Sequence, residues 1–268
     1  MHVNKKMIFS MLLTGILVGV FFTTRYPDVE VKLAIPLLVR NGYDIDFELP
    51  YLFDQFFKLV PFVVMQMFFG IKIYKHFLNM SAYYFLRQSD RVKWFVQEII
   101  YLIIECFLSV SAFYIGFFVY ECMLGGNAKL RFSDIRCLIY IILLTFGYNT
   151  VFIIACNILA IKTDSTIAFF SVYSFQIISV LINYLMNEKF KISHAIKTII
   201  FKLNFYSNYV LQWHNSNGVE HDYAATEMFN LRLGWSYSFY LFVTMLLIVT
   251  GCIITSRQDI LGDNEWKN

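Results

Sequence analysis

The chain is predicted to be an all-α, polytopic membrane protein, and three observations lead to that prediction. Six apolar stretches recur along its 268 residues, and each is near or above the about 20 residues that a helix needs to cross a bilayer. Apolar residues make up 58% of the chain, charged residues only 15%, and the mean hydropathy is +0.58. No soluble domain is recognisable between or beyond these stretches, so residues 1–268 are expected to form one transmembrane domain.

The predicted spans, in chain order, cover residues 7–24, 59–78, 97–122, 137–161, 167–186 and 236–255. The first follows Lys5 and Lys6 and so resembles a signal peptide, but no small-residue cleavage site follows it between Phe21 and Arg25. We therefore expect a retained anchor. The five cysteines are an odd number without CxxC or metal-ligand spacing, which favours buried thiols over disulfides.

The distribution of basic residues predicts the orientation in the cell membrane. The loop between the second and third spans, together with the adjoining end of the second span, carries five of them: Lys72, Lys75, Arg87, Arg91 and Lys93. By the positive-inside bias this loop, and with it both termini, is expected on the cytoplasmic side. The lysines that follow the fifth span argue the other way, although long loops obey the bias poorly: Lys189, Lys191, Lys197 and Lys202.

Three connecting segments are too long to be simple turns. Residues 25–58 are slightly acidic and interrupted by prolines, which predicts a small external cap. Residues 77–97 place aromatic side chains before a basic return to the membrane, which predicts a short interfacial helix. Residues 187–235 contain an amphipathic repeat, which predicts a helix on or dipping into the external interface, with apolar positions at Ile192, Ile196, Ile199, Ile200 and Leu203.

The sequence lacks the motifs of the common catalytic and nucleotide-binding sites. It contains no G-x-x-x-x-G-K-[ST], G-x-S-x-G, H-E-x-x-H or CxxC pattern. We therefore expect this chain to have no enzyme activity, no metal and no cofactor of its own, and any ATP that drives it must be bound by a partner. A cluster of His194, His214, His221 and Asp222 is conceivable, but its spacing matches no ligand pattern, so satisfied surface positions are preferred over a metal or catalytic site.

Polar residues inside the predicted spans are the candidates for a translocation pathway. Glu105 is the only acidic residue well inside a span, where a charge must be paired, protonated or in contact with water. The fourth and fifth spans carry a polar stripe that includes Asn149, Asn157, Gln176 and Asn183. Both features have a plainer interpretation as helix packing through interhelical hydrogen bonds. The 29 Phe and 18 Tyr likewise suit either a peptide-binding surface or ordinary membrane interfaces.

The arrangement resembles the type-2 permease subunits of ATP-binding-cassette (ABC) exporters. The order of six spans, a long first external loop, an aromatic and basic segment between spans two and three, and a long segment before the last span carry the resemblance over the whole chain. Locally, the segment is similar to that of small bacterial permeases for lantibiotic and bacteriocin export or immunity at Tyr83, Tyr84, Phe85, Leu86, Arg87, Arg91, Val92, Lys93 and Trp94. The ending from Ile254 to Leu261 is similar to their usual tail.

The resemblance implies a homodimer or heterodimer of permease subunits, each resting on a cytoplasmic ABC ATPase that binds ATP and Mg²⁺. Residues 80–94 would be the ATPase-coupling element, with side chains from Tyr84, Arg87, Asp90, Arg91, Lys93 and Trp94. The lysine-rich run after the fifth span departs from the more apolar re-entrant hairpin of the family.

The substrate implied by the resemblance is a hydrophobic or amphipathic peptide of the bacteriocin type, exported or expelled from the cell. Besides that peptide and the two partner subunits, we expect contact with membrane lipid and none with nucleic acid. Two alternatives stay open. One is a stand-alone membrane immunity or sensor protein that binds such a peptide without pumping it, and the other is an integral membrane enzyme.

Overall fold

The computed structural model describes residues 5–25, 49–80, 91–124, 132–188, 193–215 and 231–257. Within these residues the helices are α1 (Lys5–Arg25), α2 (Leu49–Phe69), α3 (Lys72–Met80), α4 (Arg91–Leu124), α5 (Phe132–Lys162), α6 (Ser165–Glu188), α7 (His194–Leu203), α8 (Phe205–Tyr209) and α9 (Leu233–Arg257). A 3₁₀ turn covers Leu211–Trp213, and two-residue strands β1 (His214–Asn215) and β2 (Leu231–Arg232) pair in parallel.

Within the described residues, four helices are long and apolar enough to cross a membrane, namely α4, α5, α6 and α9. These four correspond to the predicted spans three, four, five and six, so the helical character of the chain is confirmed and its apolar helices are those of a membrane protein. Helices α1 and α2 coincide with the first predicted span and with part of the second, and each has 21 residues. The count of six crossings stays a prediction.

The second predicted span, residues 59–78, is not one continuous helix. Helix α2 begins earlier, at Leu49, within the predicted external cap, and ends at Phe69; after a turn at Gly70 and Ile71 the chain resumes as α3. A methyl group added at Gly70 would lie 3.1 Å from the Cys156 sulfur, so the turn fits tightly against α5. Residues 26–48 of the predicted cap lie outside the described residues.

The last part of the predicted interfacial helix over residues 77–97 belongs to a longer helix. Arg91, Lys93 and Trp94 belong to the first turn of α4, which runs on without interruption to Leu124. The reason is that Trp94 and Phe95 are buried and continue the inward-facing positions of the span itself. Trp94 packs against Phe77 of α3, with 6.1 Å between the ring centroids. Tyr84, Arg87 and Asp90 lie outside the described residues.

The bundle is built around α4 and α5. Helix α1 packs along α4, α9 packs on α5 and α4, and α6 packs on the other side of α5. One apolar cluster lies among α1, α2, α3, α4 and α5, and a second lies among α5, α6, α8 and α9. The outward faces of α6 and α9 are largely exposed and apolar, as expected for helices that contact lipid.

Glycines permit the close crossing of α1 and α4. A methyl group added at Gly15 would overlap the Phe113 carbonyl oxygen, and one added at Gly116 would overlap the Leu12 carbonyl oxygen. Inside lipid the hydrophobic effect does little to bring helices together, so helices associate largely through van der Waals contact. Small residues at a crossing let the two backbones approach closely enough to make that contact.

We expect Gly15→Val to separate α1 from α4. The atoms that the new side chain would meet, the Phe113 carbonyl and the Phe117 nitrogen, belong to the backbone and cannot rotate away. The expected loss is about 1 to 3 kcal/mol, read as a lower midpoint of unfolding in detergent. Gly234→Val is the matched control, because an added methyl group there meets nothing within 4 Å. Equal midpoints for the two variants would contradict the crossing.

Candidate functional site

The break between α2 and α3 is held by one side chain from another helix. Asn157 of α5 donates from Nδ2 to the Phe69 carbonyl at 2.8 Å, on the α2 side of the break. Its Oδ1 accepts from the Ile73 N–H at 2.9 Å and the Tyr74 N–H at 3.4 Å, on the α3 side. A second Nδ2 contact reaches the Ile153 carbonyl at 2.9 Å. Asn157 therefore supplies partners to backbone groups that a continuous helix would have paired within itself.

Charged side chains join α3 to α4 just after the break. Lys72 forms an ion pair with Glu105. Glu105 is 2% exposed, whereas the Lys72 side chain is 24% exposed. One turn along α3, His76 Nδ1 lies 3.2 Å from Glu98 Oε1. Glu98 Oε2 has no partner among the described residues. The two pairs and the Phe77–Trp94 contact attach α3 to the amino-terminal part of α4.

A chain of buried amides crosses the bundle from α5 to α6 through α2. Gln66 Nε2 donates to Asn149 Oδ1 at 2.8 Å, and Gln176 Nε2 donates to Gln66 Oε1 at 2.7 Å. The Tyr148 hydroxyl donates to Gln176 Oε1 at 3.3 Å. Asn149 Nδ2 closes the chain on the Thr145 carbonyl at 2.7 Å. Each oxygen named here accepts a hydrogen bond, so this part of the polar stripe ties three helices together.

Between α6 and α9 the chain forms a short helical hairpin, residues 194–213, whose inner arm is buried in the bundle. Asn204 lies at the bend, where its Oδ1 accepts from the Tyr206 N–H at 2.8 Å and from the Ser179 hydroxyl of α6 at 2.7 Å. Ser207 Oγ donates to Asn183 Oδ1 of α6 at 2.9 Å. On the other side, the Tyr240 hydroxyl of α9 donates to the Phe205 carbonyl at 2.8 Å.

The hairpin reaches the polar centre of the bundle through Tyr209. Its side chain lies beside those of Tyr114 and Thr145, which are hydrogen-bonded to each other at 2.8 Å, and its ring packs against Tyr148 with 4.9 Å between the ring centroids. Tyr114 belongs to α4 and Thr145 to α5, next to the amide chain that ends on the Thr145 carbonyl. A displacement of the hairpin must therefore disturb side-chain contacts with both central helices.

His214 closes the outer end of this hairpin. Its Nδ1 lies 2.9 Å from the Val210 carbonyl, and its Nε2 lies 2.7 Å from Ser236 Oγ of α9, which in turn lies 2.6 Å from Asn208 Oδ1. Burial lowers the pKa of His214 to about 4, against the raising effect of its hydrogen bonds to backbone carbonyls. The ring is thus neutral at pH 7 and serves to connect α9 to the hairpin.

The structure places the predicted pathway residues at three different places. Asn149 and Gln176 share the amide chain, whereas Glu105 and Asn157 act on α3, and Asn183 binds the hairpin. His214 is separate from His194, which lies at the exposed start of α7; His221 and Asp222 lie outside the described residues. Within the described part of the chain, no three His, Cys, Asp or Glu side chains converge on a possible metal site.

Sequence reasoning missed the partners of these residues. Gln66 lies in an apolar run, and its single polar side chain was a detectable signal. Lys72 and Asn204 gave no such signal, because each lies in a segment that reads as loop or interface. No protein-family model, curated protein or solved structure matches this chain.

Proposed function

We propose that this chain is the permease subunit of an ABC transporter that exports or expels a hydrophobic or amphipathic peptide. The observation that carries the proposal is the buried hairpin between α6 and α9, whose Tyr209 lies against side chains of both central helices. Such a buried hairpin agrees with the re-entrant segment that the family resemblance leads one to expect. Non-helical backbone at membrane depth is tolerated where protein buries it, and it is common at transport sites.

The break between α2 and α3 supports the same proposal from the opposite end of the bundle. Helix α3 follows the break and is paired to α4, so a displacement of residues 81–90 can be transmitted through α3 into the bundle. In this proposal the coupling element includes Arg91 and Lys93 at the start of α4, together with Tyr84, Arg87 and Asp90. Trp94 anchors the element rather than contacting the ATPase, because it is buried against Phe77.

The test is purification of the full chain from its native membrane in a mild detergent, followed by identification of the proteins that accompany it. We expect a P-loop ATPase, and ATP hydrolysis that rises when an amphipathic cationic peptide is added to reconstituted vesicles. An ATPase that accompanies the chain but ignores the peptide would retain the transporter and reject the substrate class. Resistance to the peptide without any associated ATPase would instead favour the stand-alone immunity or sensor protein.

Charge reversal separates coupling from assembly. We expect Arg87→Glu with Arg91→Glu to leave the chain in the membrane and to abolish peptide-stimulated ATP hydrolysis, because the proposed ATPase contact loses two cations. Lys5→Glu with Lys6→Glu is the matched control, since both lysines are exposed at the start of α1 and lie outside the proposed coupling element. Normal stimulation in the double variant would reject this coupling surface.

A further inference from the structure

Helix α7 presents a two-sided surface whose outer side has no protein partner among the described residues. Ile196, Ile199 and Leu203 are 50%, 57% and 57% exposed, and they lie on one stripe of the helix. Phe201 points the opposite way, is 1% exposed, and packs edge-on against Trp213 with 6.0 Å between the ring centroids. The helix therefore docks on the bundle through Phe201 and leaves an aliphatic stripe outside.

Two lysines flank this stripe. At about 100° per residue, Lys197 and Lys202 fall about 90 to 130° to either side of the stripe's centre. Both are partly buried along their stems, and neither forms an ion pair within the described part of the chain. A lysine can lay its methylene stem along apolar surface while its ammonium group stays among polar groups at the membrane surface.

The neighbouring start of α9 adds a third cation and an aromatic anchor. Arg232 is exposed, and Trp235 is 45% exposed with its indole N–H donating to the Lys202 carbonyl at 3.0 Å. Segments 193–215 and 231–257 contain no Asp or Glu. The acidic residues of the intervening segment, Glu220, Asp222 and Glu227, lie outside the described residues.

We propose that α7 and the start of α9 form a binding surface for anionic phospholipid headgroups. The stripe of Ile196, Ile199 and Leu203 enters the acyl region, and Lys197, Lys202 and Arg232 contact lipid phosphates. The membrane is the occupant because α7 lies between two membrane-spanning helices, α6 and α9, and because α9 shows an apolar, lipid-type surface directly below Trp235. Cations that have no ion-pair partner among the described residues select anionic over zwitterionic lipid at this level.

This surface also accounts for Lys197 and Lys202, two of the four lysines that oppose the positive-inside bias. Lysines bound to lipid phosphate are a local binding device, so they carry little information about which side of the membrane the segment occupies. The inference does not depend on ATP-driven transport, since it concerns only the lipid next to α7.

Trp235 provides the probe for a direct test. The purified full chain is reconstituted into phosphatidylcholine vesicles that contain a small fraction of brominated phosphatidylglycerol or the same fraction of brominated phosphatidylcholine. Trp94 and Trp213 are 5% and 6% exposed, and the difference between the wild-type chain and Trp235→Phe isolates the Trp235 signal. We expect brominated phosphatidylglycerol to quench that signal more strongly.

The lysine variants give the decisive comparison. Lys197→Gln and Lys202→Gln should each lower the preference for phosphatidylglycerol about fivefold, and the double variant should remove most of it. The Trp235 hydrogen bond survives in Lys202→Gln because its acceptor is a backbone carbonyl. Lys162→Gln, an exposed position at the far end of α5, should change nothing.

Two results would overturn the proposal. One is equal quenching by the two brominated lipids in the wild-type chain, which would reduce α7 to a non-selective contact with acyl chains. The other is an undiminished preference in the double lysine variant. Ile199→Gln checks the insertion of the stripe, because it should weaken quenching by both lipids to the same degree; unchanged quenching would place the stripe outside the membrane.

Discussion

Replacing Asn157 by leucine is expected to open the break between α2 and α3. The leucine side chain fills a similar volume but leaves the Phe69 carbonyl and the Ile73 N–H, both buried in the bundle, without their side-chain partner. Each buried group left unpaired costs about 1 to 3 kcal/mol, so the summed loss for the two groups should be about 2 to 6 kcal/mol. The measurement is amide hydrogen exchange of residues 69–74 by mass spectrometry, together with unfolding in detergent.

Two variants make that result specific to the break. Asn157→Asp keeps an oxygen for the Ile73 N–H but loses the donor to Phe69, so exchange at Ile73 should stay slower than in Asn157→Leu. Thr150→Val is the matched control on the same helix, because its buried hydroxyl makes only a long contact of 3.7 Å to the Cys106 sulfur. If Asn157→Leu and Thr150→Val gave the same exchange, Asn157 would have no special role at the break.

Glu105→Leu is expected to be the second most damaging substitution, because it leaves the Lys72 ammonium without its carboxylate. Removing one partner of a fully buried pair costs about 3 to 5 kcal/mol. Lys72 keeps 24% exposure, so we expect about 2 to 3 kcal/mol. Adding Lys72→Met should restore most of the lost stability, because the pair is then replaced by two apolar side chains. A double variant as unstable as Glu105→Leu would show that the charge is not the cause.

Glu105→Gln separates packing from electrostatics at the same position. The amide keeps the size of the carboxylate and most of its hydrogen bonding, so the chain should assemble, yet the salt bridge to Lys72 is gone. If Glu105 takes part in transport, peptide export or resistance should be lost in Glu105→Gln, and Glu105→Leu should do no better. Full activity in both variants would leave Glu105 a packing residue and would direct attention to the amide chain around Asn149 and Gln176.

The helices could be predicted from the sequence wherever one local property decides them. Apolar runs such as 97–122 and 137–161 must be helical in a membrane because no water is present to pair their backbone groups. The α7 helix followed from the spacing of Ile196, Ile199 and Leu203. The α2–α3 break could not be predicted, because a lone glycine in an apolar run is tolerated in a helix. What stabilises the break is Asn157, which is remote in the sequence.

The same reasoning explains what could be predicted of the site. A glutamate within an apolar run indicates that a cation pairs with it, but the sequence does not show which one. Lys72 reads as one of the loop charges. Tyr209 was one aromatic residue among many, and its contact with Tyr114 and Thr145 depends on how the hairpin folds back. Residue type thus identified the polar side chains, whereas their partners depend on three-dimensional packing.

The crossing of α1 with α4 has a consequence for how the protein is made. Leu12 and Gly116, which meet at the crossing, are roughly a hundred residues apart, so α1 is synthesised well before its main partner. During that interval the glycine face of α1 has no α4 to pack against, while α2 and α3 are made in between. Among the described helices, α1 is therefore synthesised first but reaches its main contact only after α4 is complete.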